Sequence, residues 1–277
     1  MEGHKREYIA QTGEGAKDRL SLQHQVFSPG TEALLKIAKF RPDMRILIVG
    51  CGCGDETIMV AKLLNDTGSI VAIDSSAEQI HQAKAAVKAA GHEAKLSFIT
   101  KSVYELDPSD GKFDLILCRF VIPHLIDPKA AIEILKTRLH PGGMIASQEP
   151  IVSTCRTEPQ SSALESYLNL MLAFSAKIGR DFDMAKSIPA LFESCGLTTV
   201  SQTWQPEVFG EDKRMVIMSA VECMPAIQSA GLIIQEVADS LIANLETEVM
   251  KKSTRLFQCI NILTVGENPP AISLTHL

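Results

Sequence analysis

The sequence predicts an α/β fold: a seven-stranded, mostly parallel sheet with helices on both faces and an inserted helical cap. Two observations support this prediction. Between Arg45 and Ser147, short runs rich in β-branched residues alternate with stretches of helical periodicity, which is typical of strand–helix–strand units. Most of these runs are apolar at consecutive positions, as expected for parallel strands that are covered on both faces.

The individual elements follow from these runs and from the residues that interrupt them. Strands are predicted at Arg45–Val49, Ser69–Ile73, Lys95–Thr100, Phe113–Cys118, Met144–Ser147, Leu197–Trp204 and Leu256–Val265. Helices are predicted at Tyr8–Phe27, Thr57–Leu64, Ala77–Ala90, Pro128–Leu139, Ser161–Ile178 and Asp183–Cys195, and two more between Met215 and Met250. The predicted domains are an N-terminal helical cap segment over 1–44, a core over 45–150, a helical cap over 151–255 with a returning strand near 197–204, and a final strand and tail over 256–277.

The composition excludes several classes of partner. The 277 residues are 45% hydrophobic and carry a formal net charge of −6, with scattered Lys and Arg, so we expect a globular chain that binds no nucleic acid. No run of apolar residues is long enough to span a bilayer and the first ten residues are polar, which predicts a cytoplasmic protein without a membrane partner. Seven cysteines, an odd number, suit a reducing compartment and suggest no disulfide framework.

A glycine-rich run, Gly50–Gly54, follows the first predicted strand and precedes a helix. Its backbone can form a tight turn that brings a ligand against bare amide groups, and Asp74, about twenty residues later, ends the second strand where ribose hydroxyls are recognised in such folds. The alternative is that the glycines only shape the turn and that Asp74 only caps the next helix. Cys51 and Cys53 lack a second ligand pair at zinc spacing, so no metal is expected.

Together with further landmarks, these residues resemble the class I S-adenosylmethionine-dependent methyltransferases, which have a Rossmann-like fold. The landmarks beyond the glycine turn are Ile46–Val49, Asp74–Ser76, Phe98–Leu106, Phe113–Ile116, Arg119–His124, Leu139–Gly143 and Val265–Pro269. The segment from Tyr8 to Gln23 is similar to the helix that covers the cofactor in that family. The resemblance implies S-adenosylmethionine as cofactor and methyl transfer to an oxygen, nitrogen or carbon atom of a small molecule.

The resemblance also implies a set of site residues. Gly50, Cys51, Gly52 and Gly54 would approach the ribose and methionine portions of the cofactor, and Asp74 would hold the ribose hydroxyls. The adenine would lie between Ser75 with Gln79 on one side and Ser102 with Val103 on the other. Arg119 would line the methionine end through its backbone, and Phe120 and His124 would face the substrate.

The sequence departs from the family pattern at two positions. Ile48 stands where the family usually has an acidic residue that supports the cofactor's ammonium group, and Ser102 stands where an acidic residue commonly accepts from the adenine amino group. Each lost charged hydrogen bond would cost about 1–3 kcal/mol of binding free energy. We therefore expect weakened cofactor binding unless other contacts compensate.

Candidate catalytic groups follow the fourth and fifth strands. His124 and Glu149 are predicted general bases, although His124 could instead bind backbone and Glu149 could form a salt bridge. A nicotinamide dinucleotide is disfavoured because Asp55 and Glu56 would meet its diphosphate at a helix N-terminus. About a third of a group of cap residues is expected to line an apolar substrate pocket and the rest to form core. This group comprises Met171, Met184, Met215, Met218, Met224, Phe174, Phe182 and Trp204.

Two alternatives to methyl transfer remain open at this stage. One is an enzyme that keeps the fold and the ligand but catalyses a non-methylating reaction such as a cyclisation. The other is a non-catalytic S-adenosylmethionine-binding regulatory protein, which the residues at positions 48 and 102 make credible. A homodimer is also left open.

Overall fold

The computed structural model describes residues 14–92 and 95–269, and these form ten strands. In chain order the strands are β1 (Arg45–Val49), β2 (Ser69–Asp74), β3 (Leu96–Thr100), β4 (Phe113–Arg119), β5 (Leu139–Ile151), β6 (Arg156–Glu158), β7 (Thr198–Trp204), β8 (Glu207–Val208), β9 (Arg255–Phe257) and β10 (Ile260–Glu267). Seven of them form one sheet in the order β3-β2-β1-β4-β5-β10-β7. The pairs from β3 to β5 are parallel, and β10 runs antiparallel to both β5 and β7. The predicted seven-stranded, mostly parallel sheet is confirmed.

Eight helices lie within the described residues. They are α1 (Glu14–Ile37), α2 (Asp55–Ala61), α3 (Ala77–Ala89), α4 (Pro128–Thr137), α5 (Ser162–Lys177), α6 (Ile188–Ser194), α7 (Arg214–Ser229) and α8 (Gln235–Val249). The Ser76 side chain accepts a hydrogen bond from the Gln79 amide and caps α3, as its position before the helix predicts. None of the helices in the described ranges is long and apolar enough to cross a membrane.

The helices cover both faces of the main sheet because the strand side chains alternate between two apolar cores. Ile46 and Ile48 of β1 point into the core that contains residues of α1, α2 and α3. Leu47 and Val49 point into the opposite core, with residues of α4 and α6. Fully burying a side chain of this kind contributes about 1.5–3 kcal/mol, so the two cores fix the sheet from both sides.

The first helix continues farther than predicted. The expected end at Phe27 is wrong because α1 continues through Pro29 to Ile37, although proline removes one backbone hydrogen bond. The buried Leu34 and Leu35 pack on the sheet in the continued part. This packing outweighs the local preference for a break at the proline. Residues 8–13 of the predicted helix lie outside the described residues.

A second, small sheet was not predicted. Strands β6, β9 and β8 form it in that order, and both pairings are antiparallel. The predicted single strand Leu256–Val265 is therefore wrong, since β9 and β10 divide it between the two sheets. Leu256 of β9 packs with residues of α5, α7 and α8 in a third apolar core.

The fifth strand is also longer than its predicted range. Leu139 already pairs with Phe113 of β4, and the register shifts before Leu115 pairs with Met144. The glycines at 142 and 143 lie in this irregularity, where Gly142 has a φ of 77°. At the other end, β10 pairs with β5 as far as Ile151, which extends the strand beyond Ser147.

Candidate functional site

The glycine turn lies between β1 and α2 and has a backbone that favours glycine. Gly50, Gly52 and Gly54 have φ values of 67°, 52° and 95°, which lie in the left-handed region. Among the described residues other than its chain neighbours, Leu20 Cδ1 at 4.0 Å is the atom nearest to a Cβ built on Gly52, so no described group fills this space. A Cβ atom at Gly54 would lie 3.0 Å from Cα of Ala83 in α3, so Gly54 permits close packing of the turn on that helix.

Asp74 ends β2 beside this turn. One of its carboxylate oxygens accepts from the Gly52 amide at 3.0 Å, and the other accepts from the Ser76 amide at 2.9 Å. Burial raises the pKa of the Asp74 carboxyl above its ordinary value, and the two amide hydrogen bonds offset part of this rise. The carboxylate is thereby held in a fixed position next to the glycine turn.

A cavity of about 170 Å³ lies outside the carboxyl ends of β1, β2 and β4, where open α/β sheets bind ligands. Nine of the ten predicted cofactor-binding residues line it, and the exception is Gly54. The nine are Gly50, Cys51, Gly52, Asp74, Ser75, Gln79, Ser102, Val103 and Arg119. Leu20 and Gln23 of α1 also line this first cavity, so the first helix lies beside it.

The side chain of Arg119 contacts charged and polar groups at the cavity wall. Its Nε lies 3.4 Å from Oε1 of Glu56, and both side chains are nearly buried. Its Nη1 is 3.3 Å from Oγ1 of Thr31 and also 3.3 Å from Nδ1 of His24. Burial raises the pKa of the Glu56 carboxyl above its ordinary value, and the Arg119 charge offsets part of this rise. The wall of the first cavity thus contains a buried ion pair that no local sequence pattern predicts.

A second cavity, of about 190 Å³, adjoins the first. Gln23, Phe120 and His124 line both cavities. Of the cap residues predicted for an apolar pocket, Met171, Met215 and Phe182 line the second cavity. Its walls otherwise come mainly from α1, α5, α7 and the segments around Pro150 and Gln258.

His124 lies at the junction of the two cavities. Its backbone oxygen accepts from Nε of Arg180 at 3.0 Å, and its ring is 5.4 Å from the ring of Phe182. Burial, and secondarily the charges of Arg180 and Arg19, lower the pKa of His124 to about 4. The imidazole is therefore neutral near pH 7 and able to accept a proton, although it is a weaker base than an ordinary histidine.

Glu149 lies beneath this junction and lines neither cavity. Its fully buried carboxyl group accepts hydrogen bonds from the amides of Val121 and Ile122, each at 3.1 Å. Burial raises the pKa of Glu149 to about 8 despite these amide contacts. Phe120, which precedes the two amides, has a φ of 57°, an uncommon value for a residue with a side chain.

The two cysteines of the glycine turn have no metal-site geometry. The Cys53 thiol donates to the side-chain oxygens of Gln79 and Gln82 at 3.1 and 3.0 Å, and burial raises the pKa of Cys53 to about 11. Over residues 14–92 and 95–269, no group of three or more His, Cys, Asp and Glu side chains could hold a metal ion.

Fold and site together define an α/β protein with one cavity at the carboxyl ends of its strands, lined by the glycine turn and Asp74, and a second, mainly apolar cavity next to it. The sequence pattern of the methyltransferase domain family matches residues 40–210. The chain belongs to this family. The predicted class, a class I S-adenosylmethionine-dependent methyltransferase with a Rossmann-like fold, is thereby confirmed.

Individual relatives agree with this membership. The chain is 28% identical over 156 residues to demethylmenaquinone methyltransferase of Staphylococcus aureus, covering 56% of this chain and 61% of the relative. It is 25% identical over 150 residues to the ubiquinone/menaquinone biosynthesis C-methyltransferase UbiE of Shewanella frigidimarina, covering 54% and 59%. The chain thus spans about three fifths of the length of these relatives. The crystal structure of the YcgJ protein from Bacillus subtilis superposes with a TM-score of 0.59 at 17% identity, covering 87% of this chain and 99% of that one, and shows the same fold.

Two features of the site are not among those that the sequence predicts. Glu56, which the sequence predicts only to disfavour a diphosphate, pairs with Arg119 at the wall of the first cavity. Gln258, between β9 and β10, lines the second cavity. The Glu56 contact could have been suspected from an acidic residue in the opening turn of a buried helix. No local pattern indicates that Gln258 lines a cavity.

Proposed function

We propose that this protein transfers a methyl group from S-adenosylmethionine to a small molecule seated in the second cavity. The observation that carries the proposal is the junction of the two cavities at Phe120 and His124. One cavity has the glycine turn and the carboxylate expected for the cofactor, and the other has the apolar walls typical of a small-molecule site.

The residues of the first cavity fit S-adenosylmethionine. Gly52 leaves space that a Cβ atom would occupy, and the Asp74 carboxylate keeps lone pairs that can accept from ribose hydroxyls. Ser102 lines the same cavity, where its hydroxyl can hydrogen-bond to the adenine. Glu56 lines the same cavity, and its Oε1, which has no hydrogen-bond partner among the described residues beyond the 3.4 Å ion-pair contact with Arg119, can accept from the cofactor's ammonium group in place of the acidic residue absent at Ile48.

The protein's own residues would act mainly by positioning. When bound, S-adenosylmethionine supplies a methyl group that is activated by a positively charged sulfur atom. Phe120 separates the cofactor side from the acceptor side, and its ring packs edge-on against Phe27 with centroids 4.8 Å apart. Holding the two reactants in line supplies much of the rate in such a reaction.

We assign proton acceptance to His124, since its neutral ring lines both cavities. The geometry favours a different role for Glu149, because its carboxyl group binds the amides of the turn that carries Phe120. Glu149 as a general base stays a prediction. Glu149 would then position Phe120 rather than contact the acceptor.

The names of the relatives are compatible with a ring-containing acceptor. Two of them are methyltransferases of demethylmenaquinone and of ubiquinone or menaquinone biosynthesis. For this chain we propose only the class of a small, largely apolar acceptor. The predicted cytoplasmic location, the homodimer and the division into segments 1–44, 45–150, 151–255 and 256–277 stay predictions.

Incubation with S-adenosylmethionine carrying a tritiated methyl group tests the proposal. The acceptors are a panel of neutral one-ring and two-ring phenols, and the readout is tritium in the extracted organic phase. We expect transfer by the wild type to at least one member and little transfer by Asp74→Ala. If the wild type binds the cofactor but labels no member of the panel, methyl transfer to this class of acceptor is refuted.

A further inference from the structure

Among the described residues, the walls of the second cavity offer no uncompensated charge to a ligand. Arg19 is the cationic residue among the described lining residues, and its Nε lies 2.6 Å from Oε2 of Glu222. Both side chains are buried, with exposures of 5% and 7%. Burial also holds the pKa of His124 well below neutrality and that of Tyr167 well above its usual value. An ionic acceptor would therefore lose its hydration without gaining a free counter-charge.

The Gln258 side chain, which lines this cavity, has a polar atom without a partner among the described residues. Gln258 is 4% exposed, and its Nε2 atom is buried with no hydrogen-bond partner among the described residues. Leaving such a donor unsatisfied costs free energy, so it marks a place where a ligand can compensate.

One end of the Gln258 side-chain amide contacts Cys155. Its Oε1 lies 3.9 Å from the Cys155 thiol, which can donate to it. The backbone of Gln258 is also held in place. Its backbone N–H donates to the backbone oxygen of Pro206, and its backbone oxygen accepts from Nε2 of Gln205, both at 2.9 Å. The amide NH₂ is thus the end that remains for a ligand.

The size of the cavity limits what can meet this donor. An apolar protein cavity of about 150 Å³ holds a benzene molecule, and the second cavity has about 190 Å³. Aromatic and sulfur-containing side chains line it, among them Phe182, Tyr167 and Met171, and such groups pack well against flat rings. A compound of one or two rings fits this space.

We propose that Gln258 is a specificity-determining residue that donates a hydrogen bond from Nε2 to the carbonyl oxygen of an uncharged one- or two-ring acceptor. The inference rests on the proposed function, since it concerns the acceptor of that reaction. A neutral ketone satisfies the free amide hydrogen without bringing a charge into the cavity. A hydrocarbon ring of the same shape leaves that hydrogen unsatisfied.

Two probes that differ only in the carbonyl group test this assignment. They are 6-hydroxy-1-tetralone and its deoxo analogue 5,6,7,8-tetrahydro-2-naphthol, titrated calorimetrically at pH 6, where both phenols are neutral, into protein saturated with S-adenosylhomocysteine. We expect the wild type to bind the ketone about tenfold more tightly, which is the worth of one hydrogen bond made to an otherwise unpaired buried donor. Gln258→Met should remove this preference and change the affinity for the deoxo analogue less than threefold. Met171→Leu, at the wall of the same cavity, should keep the preference.

Binding of S-adenosylhomocysteine by each variant separates the outcomes. If the wild type fails to bind it, the proposed function fails. If all variants bind it with wild-type affinity, the cofactor cavity is intact, and the probe affinities decide the inference alone. A ketone preference that is absent in the wild type, or that persists in Gln258→Met, overturns the role of Gln258. Failure of both probes to bind overturns the acceptor class.

Discussion

The buried carboxyl of Glu149 should make the stability of the protein depend on pH. Burial raises the pKa of Glu149 to about 8, whereas the ordinary value is 4.5. The folded protein then holds a proton that the unfolded chain releases. The contribution of this group to the free energy of unfolding is therefore fully retained below pH 4.5 and is lost as the pH rises toward 8. One pKa unit corresponds to 1.36 kcal/mol, so the whole change amounts to about 5 kcal/mol.

The substitution Glu149→Gln tests this reasoning, because glutamine resembles the protonated carboxyl and does not ionise. Urea unfolding of the wild type and the variant would be measured at pH 5, 6, 7 and 8. We expect the free energy of unfolding of the wild type, relative to the variant, to fall by about 3.5 kcal/mol between pH 5 and pH 8. Taking the difference cancels the other titrating groups that the two proteins share.

Glu246→Gln is the matched control, since Glu246 is an exposed residue of α8. Its difference from the wild type should stay nearly flat over the same pH range. A flat difference for Glu149→Gln as well would refute the reasoning. The carboxylate would then be ionised throughout, held in that form by the amides of Val121 and Ile122.

Three further substitutions probe the site and its surroundings. Gly52→Val should abolish binding of S-adenosylmethionine in a titration while the circular dichroism spectrum stays close to wild type, because the valine side chain enters the ligand space at a φ of 52°. Wild-type binding would contradict the role of the turn. Ser102→Asp should tighten binding by about 1 kcal/mol, since a carboxylate accepts more strongly from the adenine amino group; unchanged or weaker binding would place the adenine elsewhere. Glu222→Ala should lower the free energy of unfolding in urea by about 3 kcal/mol, because it removes the carboxylate of α7 that lies 2.6 Å from Arg19 of α1. A loss below about 1 kcal/mol would mean that the ion pair adds little to stability.

The main sheet was predictable because its signals are local. The apolar runs around Ile46 and Leu115 need two covered faces, and the structure buries both residues completely. The left-handed glycines and Asp74 likewise follow directly from their positions at strand ends. These features depend on neighbours in the sequence and on the period of the side chains.

The small sheet and two site features depend instead on residues that are far apart in the chain. Strand β8 has only two residues, and it pairs with β9 about fifty positions later. The contact between Glu56 and Arg119 joins α2 to the end of β4. The free amide of Gln258 is evident only when its surroundings are known. No periodicity or short motif records such pairings.

We expect the first cavity to bind S-adenosylmethionine through the glycine turn and Asp74. Calorimetric titration of the wild type and of Asp74→Ala, each checked by its melting curve, decides whether it does. We expect saturable binding to one site per chain, weakened by about 1.5–3 kcal/mol in Asp74→Ala with little change in melting temperature, because a charged acceptor of the ribose hydroxyls is lost. A folded wild type that does not bind S-adenosylmethionine, or equal affinities of the two proteins, would contradict this expectation.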